Sequence, residues 1–169
     1  MNAFDKVICI ILAAVLMFLF PIMYLAQKQD AINQLYVTEQ TAEFTNEIKN
    51  HGYLTENMYT RFEKKLRATG NVYSIKITHG HNVFNPIYDA ETGEFQDDYY
   101  TYQECIYTDD ILNTIYSNKL YYFRQGDSIS VEVININKTL SSTLLNNIGV
   151  NHVGQIHVNY GGIIRDENY

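Results

Sequence analysis

Two histidines separated by one glycine come closest to a chemical site in this chain. His79, Gly80 and His81 follow an alternating apolar stretch, with Asp89 and Glu91 a few residues later. Imidazole nitrogens and carboxylate oxygens are common ligands of zinc and other transition metals. Nothing else completes a known metal-ligand spacing, and Gly80 suits a turn. A metal site and a surface turn are both open, and the pattern favours the turn.

The other candidate groups give weaker indications. Cys105 lacks a recognisable Cys/His/Asn signature, and its apolar neighbours favour a small buried residue over a nucleophile. Gln96-Asp97-Asp98 lacks calcium-loop spacing, and Gly161-Gly162 lacks the Lys-Ser/Thr of a phosphate loop. His152 and His157 are expected to face solvent. The sequence therefore predicts no catalytic, cofactor or metal site, and a protein that is not an enzyme.

Tyrosine is unusually common, with 15 residues, whereas tryptophan is absent. Tyr99, Tyr100, Tyr102 and Tyr107 crowd one stretch. Tyrosine is enriched in contact surfaces between proteins, and it is also a strand-favouring residue. A contact surface for another subunit and strands covering a small core are therefore both open, and the second is favoured.

Charge excludes one class of partner. The net charge is −7, whereas a nucleic-acid surface needs clustered Lys and Arg. The nearest basic cluster, Arg61 to Arg67, has the helical spacing of a solvated face. Cys9 lies in an apolar N-terminal segment and Cys105 lies far down the chain, so no disulfide between the two is predicted.

The elements that carry these residues begin with an apolar segment. Val7 to Gln27 holds no charged side chain, and about 20 helical residues cross the ~30 Å hydrocarbon core of a bilayer. A signal-peptidase site after Ala26 would put bulky Tyr24 at −3, which favours an uncleaved anchor. We expect a membrane segment in residues 1–27 and an extracytoplasmic domain in residues 28–169, held at the cell membrane by a single pass.

Periodicity predicts the remaining elements. Val37, Thr41, Phe44 and Ile48 form one stripe, so the first helix is predicted to continue from about Phe4 to Asn50. Three later helices are predicted: one over Glu56–Thr69 capped by Thr55, one capped by Thr108 that buries Ile111, Leu112, Ile115 and Tyr116, and a short one after Thr139. The predicted strands are Val72–Thr78, a hairpin of Leu120–Arg124 with Ser128–Asn137 around Gly126, which has a bulge or a doubly buried strand at Ile134 and Ile136, and Val153–Tyr160. The stretch Gly80–Tyr102 is predicted to be a loop or loose hairpin with a turn at Thr92-Gly93.

This order predicts an α+β fold, in which a long spine helix continues from the transmembrane segment and packs on a small antiparallel sheet with short helices. The chain also resembles TadE-like, pseudopilin-like proteins of bacterial tight-adherence (Tad/Flp) pilus and secretion systems. The resemblance is carried by MNAFDKV, the apolar run with Pro21, QDAINQLYVTEQTAEF, GYLTENMYTRFEKKLRATGNVYSIKI and QGDSISVEVIN.

The resemblance implies a pilin-like fold and a minor pilin-like or assembly component whose partners are other pilin-like subunits and the membrane platform and ATPase of such a system. Type IV prepilins carry a Gly before their cleavage site and a Glu five residues on. Here the first glycine is Gly52, which favours a permanently anchored accessory protein over a shaft subunit.

Two functions therefore stand as hypotheses. The first is a non-enzymatic assembly protein, in which Ala13 and Ala14 pack against other membrane helices and residues 32–48 face the domain or partners. The second is a single-pass extracytoplasmic ligand-binding or sensor domain, which needs a concave pocket with converging polar groups.

Overall fold

The computed structural model describes residues 3–89, 91–151 and 154–165. The helices within these ranges are α1 (Ala3–His51), α2 (Glu56–Arg67), α3 (Thr108–Asn118) and α4 (Leu140–Asn147). The strands are β1 (Tyr53–Thr55), β2 (Tyr73–Tyr88), β3 (Phe95–Tyr107), β4 (Leu120–Tyr122), β5 (Ser128–Asn135) and β6 (His157–Ile163).

The first helix is continuous, as its periodicity predicts, and includes Pro21. Its N-terminal half is apolar and almost wholly exposed, and burial begins at Ala26. An 18-residue window in α1 has a mean hydropathy of 2.8 with no residue buried, and among the described residues this is the one helix long and apolar enough to cross a membrane.

The C-terminal half of α1 packs on the domain through the predicted stripe. Val37, Thr41, Phe44 and Ile48 are all buried, which confirms the stripe. Phe44 stacks on Phe62 of α2 with ring centroids 4.2 Å apart. One helix thus presents an apolar surface to its surroundings at one end and fills the core at the other.

The start of α2 and the position of its basic residues agree with the predictions. The Thr55 hydroxyl accepts a hydrogen bond from the Met58 amide at 3.2 Å, which satisfies one of the free donors of the first turn. The basic residues of α2 lie on its exposed side, where Arg61 pairs with Glu47 and Lys65 pairs with Glu43 of α1. These exposed pairs confirm a solvated face.

The main sheet has the order β3-β2-β5-β6, and every neighbouring pair is antiparallel. Odd-numbered residues of β5, and those of β2 as far as its pairing with β5 extends, face the helices, so that Ile77, Val131 and Val133 are fully buried. Val158 of β6 completes this face. The opposite face is largely polar, as expected for an antiparallel sheet with one solvated side.

Of the two alternatives predicted for Gly80–Tyr102, a loop or a loose hairpin, the hairpin is confirmed and the loop is wrong. The segment is a regular two-stranded ribbon in which β2 runs on to Tyr88 and β3 returns from Phe95. Beyond Gly80, β2 pairs with no strand of the described residues other than β3, so no core imposes an apolar alternation on the sequence of the ribbon. The predicted turn is confirmed by Gly93, with φ of 70°.

The predicted hairpin of Leu120–Arg124 with Ser128–Asn137 is also wrong. β4 pairs with β1 in a separate two-stranded sheet, and β5 pairs with β2 and β6. Phe123 is fully buried and its amide donates to the Gly52 carbonyl, which draws β4 away from β5. The glycine turn at Gly126 is present, with φ of 89°.

Several element ends differ from the predictions. Thr108 does not cap α3, because its hydroxyl bonds the Ile77 backbone, and Tyr116 is exposed instead of buried. Ile136 is exposed just past the end of β5, so the predicted bulge or doubly buried strand is wrong. The short helix expected after Thr139 is confirmed as α4, and Thr139 caps it.

The last strand is predicted over Val153–Tyr160. The strand observed there, β6, starts at His157 and ends at Ile163, three residues beyond the predicted end. Val153 lies outside the described residues. The architecture is thus α+β: a long apolar N-terminal helix packed on a small antiparallel sheet with short helices.

Candidate functional site

Strand register brings His79, His81 and Asp127 together. Gly80 of β2 stands opposite Ser128 of β5, so the next pair outward in this antiparallel register is His81 with Asp127. Side chains two residues apart on a strand share a face, which puts His79 beside them. The three residues therefore lie on the helix-facing side, where the four-stranded sheet ends and the β2–β3 ribbon begins.

Both imidazoles contact one carboxylate. His79 Nε2 lies 2.8 Å from Asp127 Oδ2, and His81 Nδ1 lies 2.7 Å from Asp127 Oδ1. His79 and Asp127 are buried, whereas about a fifth of the His81 side chain is exposed. The cluster is thus open to solvent on the His81 side only.

Surrounding groups fix each member of the cluster. The Tyr121 hydroxyl lies 2.7 Å from His79 Nδ1, and the Phe123 ring packs against the His79 imidazole with centroids 4.7 Å apart. The Arg124 amide donates to Asp127 Oδ2 at 2.9 Å, while the Arg124 guanidinium lies 3.3 Å from His81 Nε2. The cluster therefore ties the turn before β5 to strand β2 and to β4.

Burial and neighbouring groups determine the protonation states of His79, Asp127 and Tyr121. Burial lowers the pKa of His79, against the opposing effect of the Asp127 carboxylate. Burial on its own would raise the pKa of Asp127, but the hydrogen bonds from Arg124 N, His79 and His81 outweigh it and lower that pKa. Burial, followed by the charge of Asp127, raises the pKa of Tyr121 to about 12. At neutral pH this favours a neutral His79, an ionised Asp127 and a protonated Tyr121.

Neither Tyr121 nor His79 is placed to act as a base or a nucleophile. Tyr121 is held in its protonated, unreactive form, and His79 is enclosed on the helix-facing side of the sheet. Two roles fit the geometry: a structural network that locks the turn, and a metal site. One ligand atom from each of His79, His81 and Asp127 can be chosen so that all three lie within 4.8 Å of one another.

The predicted surface turn at His79-Gly80-His81 is wrong, because all three residues lie within β2. The nearby carboxylates that sequence suggested are elsewhere: the Asp89 side chain accepts hydrogen bonds from the Glu91 and Thr92 amides in the distal turn. Asp127 supplies the carboxylate instead.

Sequence carried a usable signal for Asp127. The inward residues of β2 are odd-numbered from Tyr73 to Ile77, and those of β5 are odd-numbered from Ile129 to Val133. Continuing each series puts the two histidines and Asp127 on the buried face. A histidine or aspartate in phase with a core stripe needs a buried partner.

The remaining candidates occupy separate places. Cys105 is exposed, which overturns its prediction as a buried residue, because it stands opposite Gly80 on the outward face of the edge strand β3. His157 faces solvent as predicted and pairs with Glu132 at 2.8 Å. His152 lies outside the described residues. Gly161-Gly162 lies inside β6 and forms no loop.

The part of the ribbon beyond the sheet, residues 81–88 and 95–104, is named here the hairpin arm. Its aromatic side chains are exposed and several rings contact one another: Tyr100 stacks on Tyr102, and Tyr88 lies tilted against Phe95. Its exposed aromatic residues are Phe84, Tyr88, Phe95, Tyr99, Tyr100 and Tyr102. The tyrosines are therefore on a strand, as one interpretation held, but they do not cover the core.

The arm region is also uniformly acidic. Between residues 81 and 104 the sequence has no Lys or Arg, and its acidic residues are Asp89, Glu91, Glu94, Asp97, Asp98 and Glu104. Charged aromatic surfaces of this kind differ from an ordinary solvated loop, which has few large apolar groups.

Comparison with known proteins adds no further constraint on the site. A scan against protein-family models, a search of curated proteins and a search of solved structures each found no match to the chain.

Proposed function

We propose that this protein is a membrane-anchored, non-enzymatic, TadE-like or pseudopilin-like component of a bacterial Tad-type pilus or secretion apparatus, acting through contacts with other subunits. Residues 1–27 hold it in the cell membrane by a single pass, and residues 28–169 form an extracytoplasmic pilin-like domain. Its partners are the lipid bilayer, other pilin-like subunits and the membrane platform, and it does not bind nucleic acid.

The division of α1 into two halves is the observation that carries this proposal. Ile10, Met17 and Phe18 are each more than two-thirds exposed, and nearly all other side chains before Ala26 are exposed as well. Exposed apolar surface costs roughly 25 cal/mol per Å² in water. Lipid removes that cost over a segment with the right length and no charge.

Helix α1 is continuous, and this continuity limits how far the domain can move relative to the anchor. The helix passes from the apolar segment through Lys28 into the buried stripe without a turn or a glycine. A continuous helix transmits orientation from the membrane to the domain, whereas a flexible linker would not. The domain is therefore held close to the bilayer, as an assembly component requires.

The hairpin arm gives the domain a surface for such contacts. Strand β6 runs alongside α1 in the same direction: the Gln34 side chain donates to the His157 carbonyl near the membrane end, and the Arg165 amide donates to the Lys49 carbonyl at the far end. Since Gly80 and Ser128 also lie at the far end, the arm projects away from the membrane. An exposed aromatic patch there suits subunit docking.

Cross-linking in cells tests the proposal. A photo-reactive amino acid at Tyr100, on the arm, is expected to give adducts with other membrane or surface proteins of the host. The same amino acid at Tyr116, an equally exposed tyrosine on α3, serves as the matched control. Alkaline carbonate should leave the protein in the membrane fraction, and detergent should release it.

Two outcomes would contradict the proposal. Release by carbonate would refute the anchor. Adducts from neither position would refute the subunit contact and favour the second function, a single-pass ligand-binding or sensor domain. For that function the best candidate is a groove of about 510 Å³ on the polar face of the sheet, lined by residues that include Lys76, Glu132 and Asn159.

A further inference from the structure

The cluster of His79, His81 and Asp127 has a donor set that the assembly role leaves unused. Two imidazole nitrogens and a carboxylate form the mixed nitrogen and oxygen set that suits Zn²⁺ and neighbouring divalent transition metals. We propose that these three residues bind one such ion, with Zn²⁺ as its representative, at the junction between the sheet and the hairpin arm. Nothing in the assembly function requires this site.

The ligand atoms are already close to the needed arrangement. Tetrahedral Zn²⁺ with ligands at about 2.0–2.2 Å places its donor atoms roughly 3.3–3.6 Å apart. His79 Nε2 lies 2.8 Å from Asp127 Oδ2 and His81 Nδ1 lies 2.7 Å from Asp127 Oδ1, so each of these contacts must lengthen by roughly 0.5–0.9 Å to admit the ion. The chosen ligand atoms all lie within 4.8 Å of one another, so any wider separation among them closes by about 1.5 Å at most. His81 is partly exposed, so the fourth ligand can be water reached from that side.

The supporting contacts hold the ligands in orientation. The Tyr121 hydroxyl bonds the far nitrogen of His79, and the Arg124 backbone amide bonds the Asp127 carboxylate. Outer contacts of this kind fix ring orientation and tautomer in metal sites. The ligands also come from two strands joined by ladder hydrogen bonds, which gives more precise placement than a loop does.

The same atoms form a complete hydrogen-bond network without an ion, and binding converts one state into the other. Each imidazole stays neutral and changes tautomer, so that the proton moves to Nδ1 of His79 and to Nε2 of His81. Tyr121 then accepts from His79, which a hydroxyl can do. The Arg124 guanidinium faces a new N–H on His81 and must turn away, and its exposed side chain is free to do so.

Equilibrium dialysis against Zn²⁺ tests the site. The full chain is purified in detergent with a tag that contains no histidine and is stripped with a chelator. One ion per chain is expected. His81→Gln should weaken binding at least ~100-fold, because loss of an outer partner alone costs ~10–100-fold. Gln can still donate to Asp127, so the fold is retained, which circular dichroism checks.

His157→Gln is the matched control, since His157 is also paired with a carboxylate, that of Glu132, but has no second histidine in that pairing among the described residues. It should leave binding unchanged. Arg124→Gln should bind at least as tightly as the wild type, because the competing cation is gone. Co²⁺ provides a second readout, since its visible absorption reports coordination by the imidazoles.

The site is overturned if the wild type shows no saturable Zn²⁺ binding, or if His81→Gln binds as well as the wild type. Equal losses in His81→Gln and His157→Gln would place the ion elsewhere and would also overturn it. These outcomes are independent of the assembly role, which the cross-linking experiment addresses.

Discussion

Tyr59 shows how one side chain contributes to the loss of stability of the domain in alkali. It lies in the inner face of α2, where burial first, and then the charges of Glu63 and Tyr116, raises its pKa to about 12. In the unfolded chain its phenol ionises near 10. Between these two values the unfolded state releases a proton that the folded state keeps, so the free energy of unfolding falls as pH rises.

Replacing Tyr59 by Phe removes this titration. We expect the loss of stability between pH 10 and pH 12 to be less steep in Tyr59→Phe than in the wild type, as measured by urea unfolding of the detergent-solubilised chain at several pH values. Met58→Leu, a change at the neighbouring buried residue that titrates nothing, is the control. Parallel slopes for Tyr59→Phe and the wild type would contradict the assignment.

At the scale of elements, β6 lies so close to its antiparallel neighbour β5 at Gly161 that a side chain has no room there. A Cβ atom on Gly161 would lie 2.6 Å from the Ile129 carbonyl oxygen, which belongs to a paired strand and cannot move aside. A Cβ atom on Gly162 would instead meet the terminal nitrogen of Lys49, at the end of a flexible side chain. The adjacent glycines therefore differ in what they tolerate.

Gly161→Ala is expected to lower the free energy of unfolding by ~1–3 kcal/mol, the usual cost of overpacking. Gly162→Ala should cost less than half as much, because Lys49 can shift. Both changes reduce the conformational freedom of the unfolded chain equally, so their difference isolates the contact. Urea unfolding midpoints measure it, and equal midpoints for the two variants would refute the explanation.

The hairpin arm and the hairpin predicted around Gly126 show which properties of strands cannot be predicted from the alternation of apolar and polar residues. Alternation located β5 correctly, because one of its faces is buried along its whole length. For the arm it left a loop and a loose hairpin both open and gave no strand bounds, because both faces of the arm are largely exposed. It also assigned β4 to the wrong partner, because strand pairing depends on contacts such as that of Phe123 with Gly52, which are distant in sequence.

At the scale of the whole molecule, the two cysteines test the proposed membrane topology. Cys105 is exposed on the edge strand, and Cys9 lies in the apolar half of α1. In intact protoplasts a membrane-impermeant thiol reagent should label Cys105 without denaturation, because the proposed topology places it outside. Cys105→Ser should abolish the labelling and Cys9→Ser should retain it. Labelling of Cys105 only after lysis would place the domain in the cytoplasm.

The sequence by itself determined the long helix, its apolar half and its buried stripe. These features depend on local periodicity and on a charge-free length, which need no knowledge of distant residues. It likewise determined the cap of α2 at Thr55, since capping is a contact between neighbours in the chain.

Only the tertiary structure decided the candidate site. His79 and His81 are 48 and 46 residues from Asp127 in sequence. The phase of β2 and of β5 indicates that each residue is buried, but neither phase states which strand lies beside which. The register of that pairing is fixed by the packing of the whole core, and it alone turns two histidines and a distant turn aspartate into one cluster.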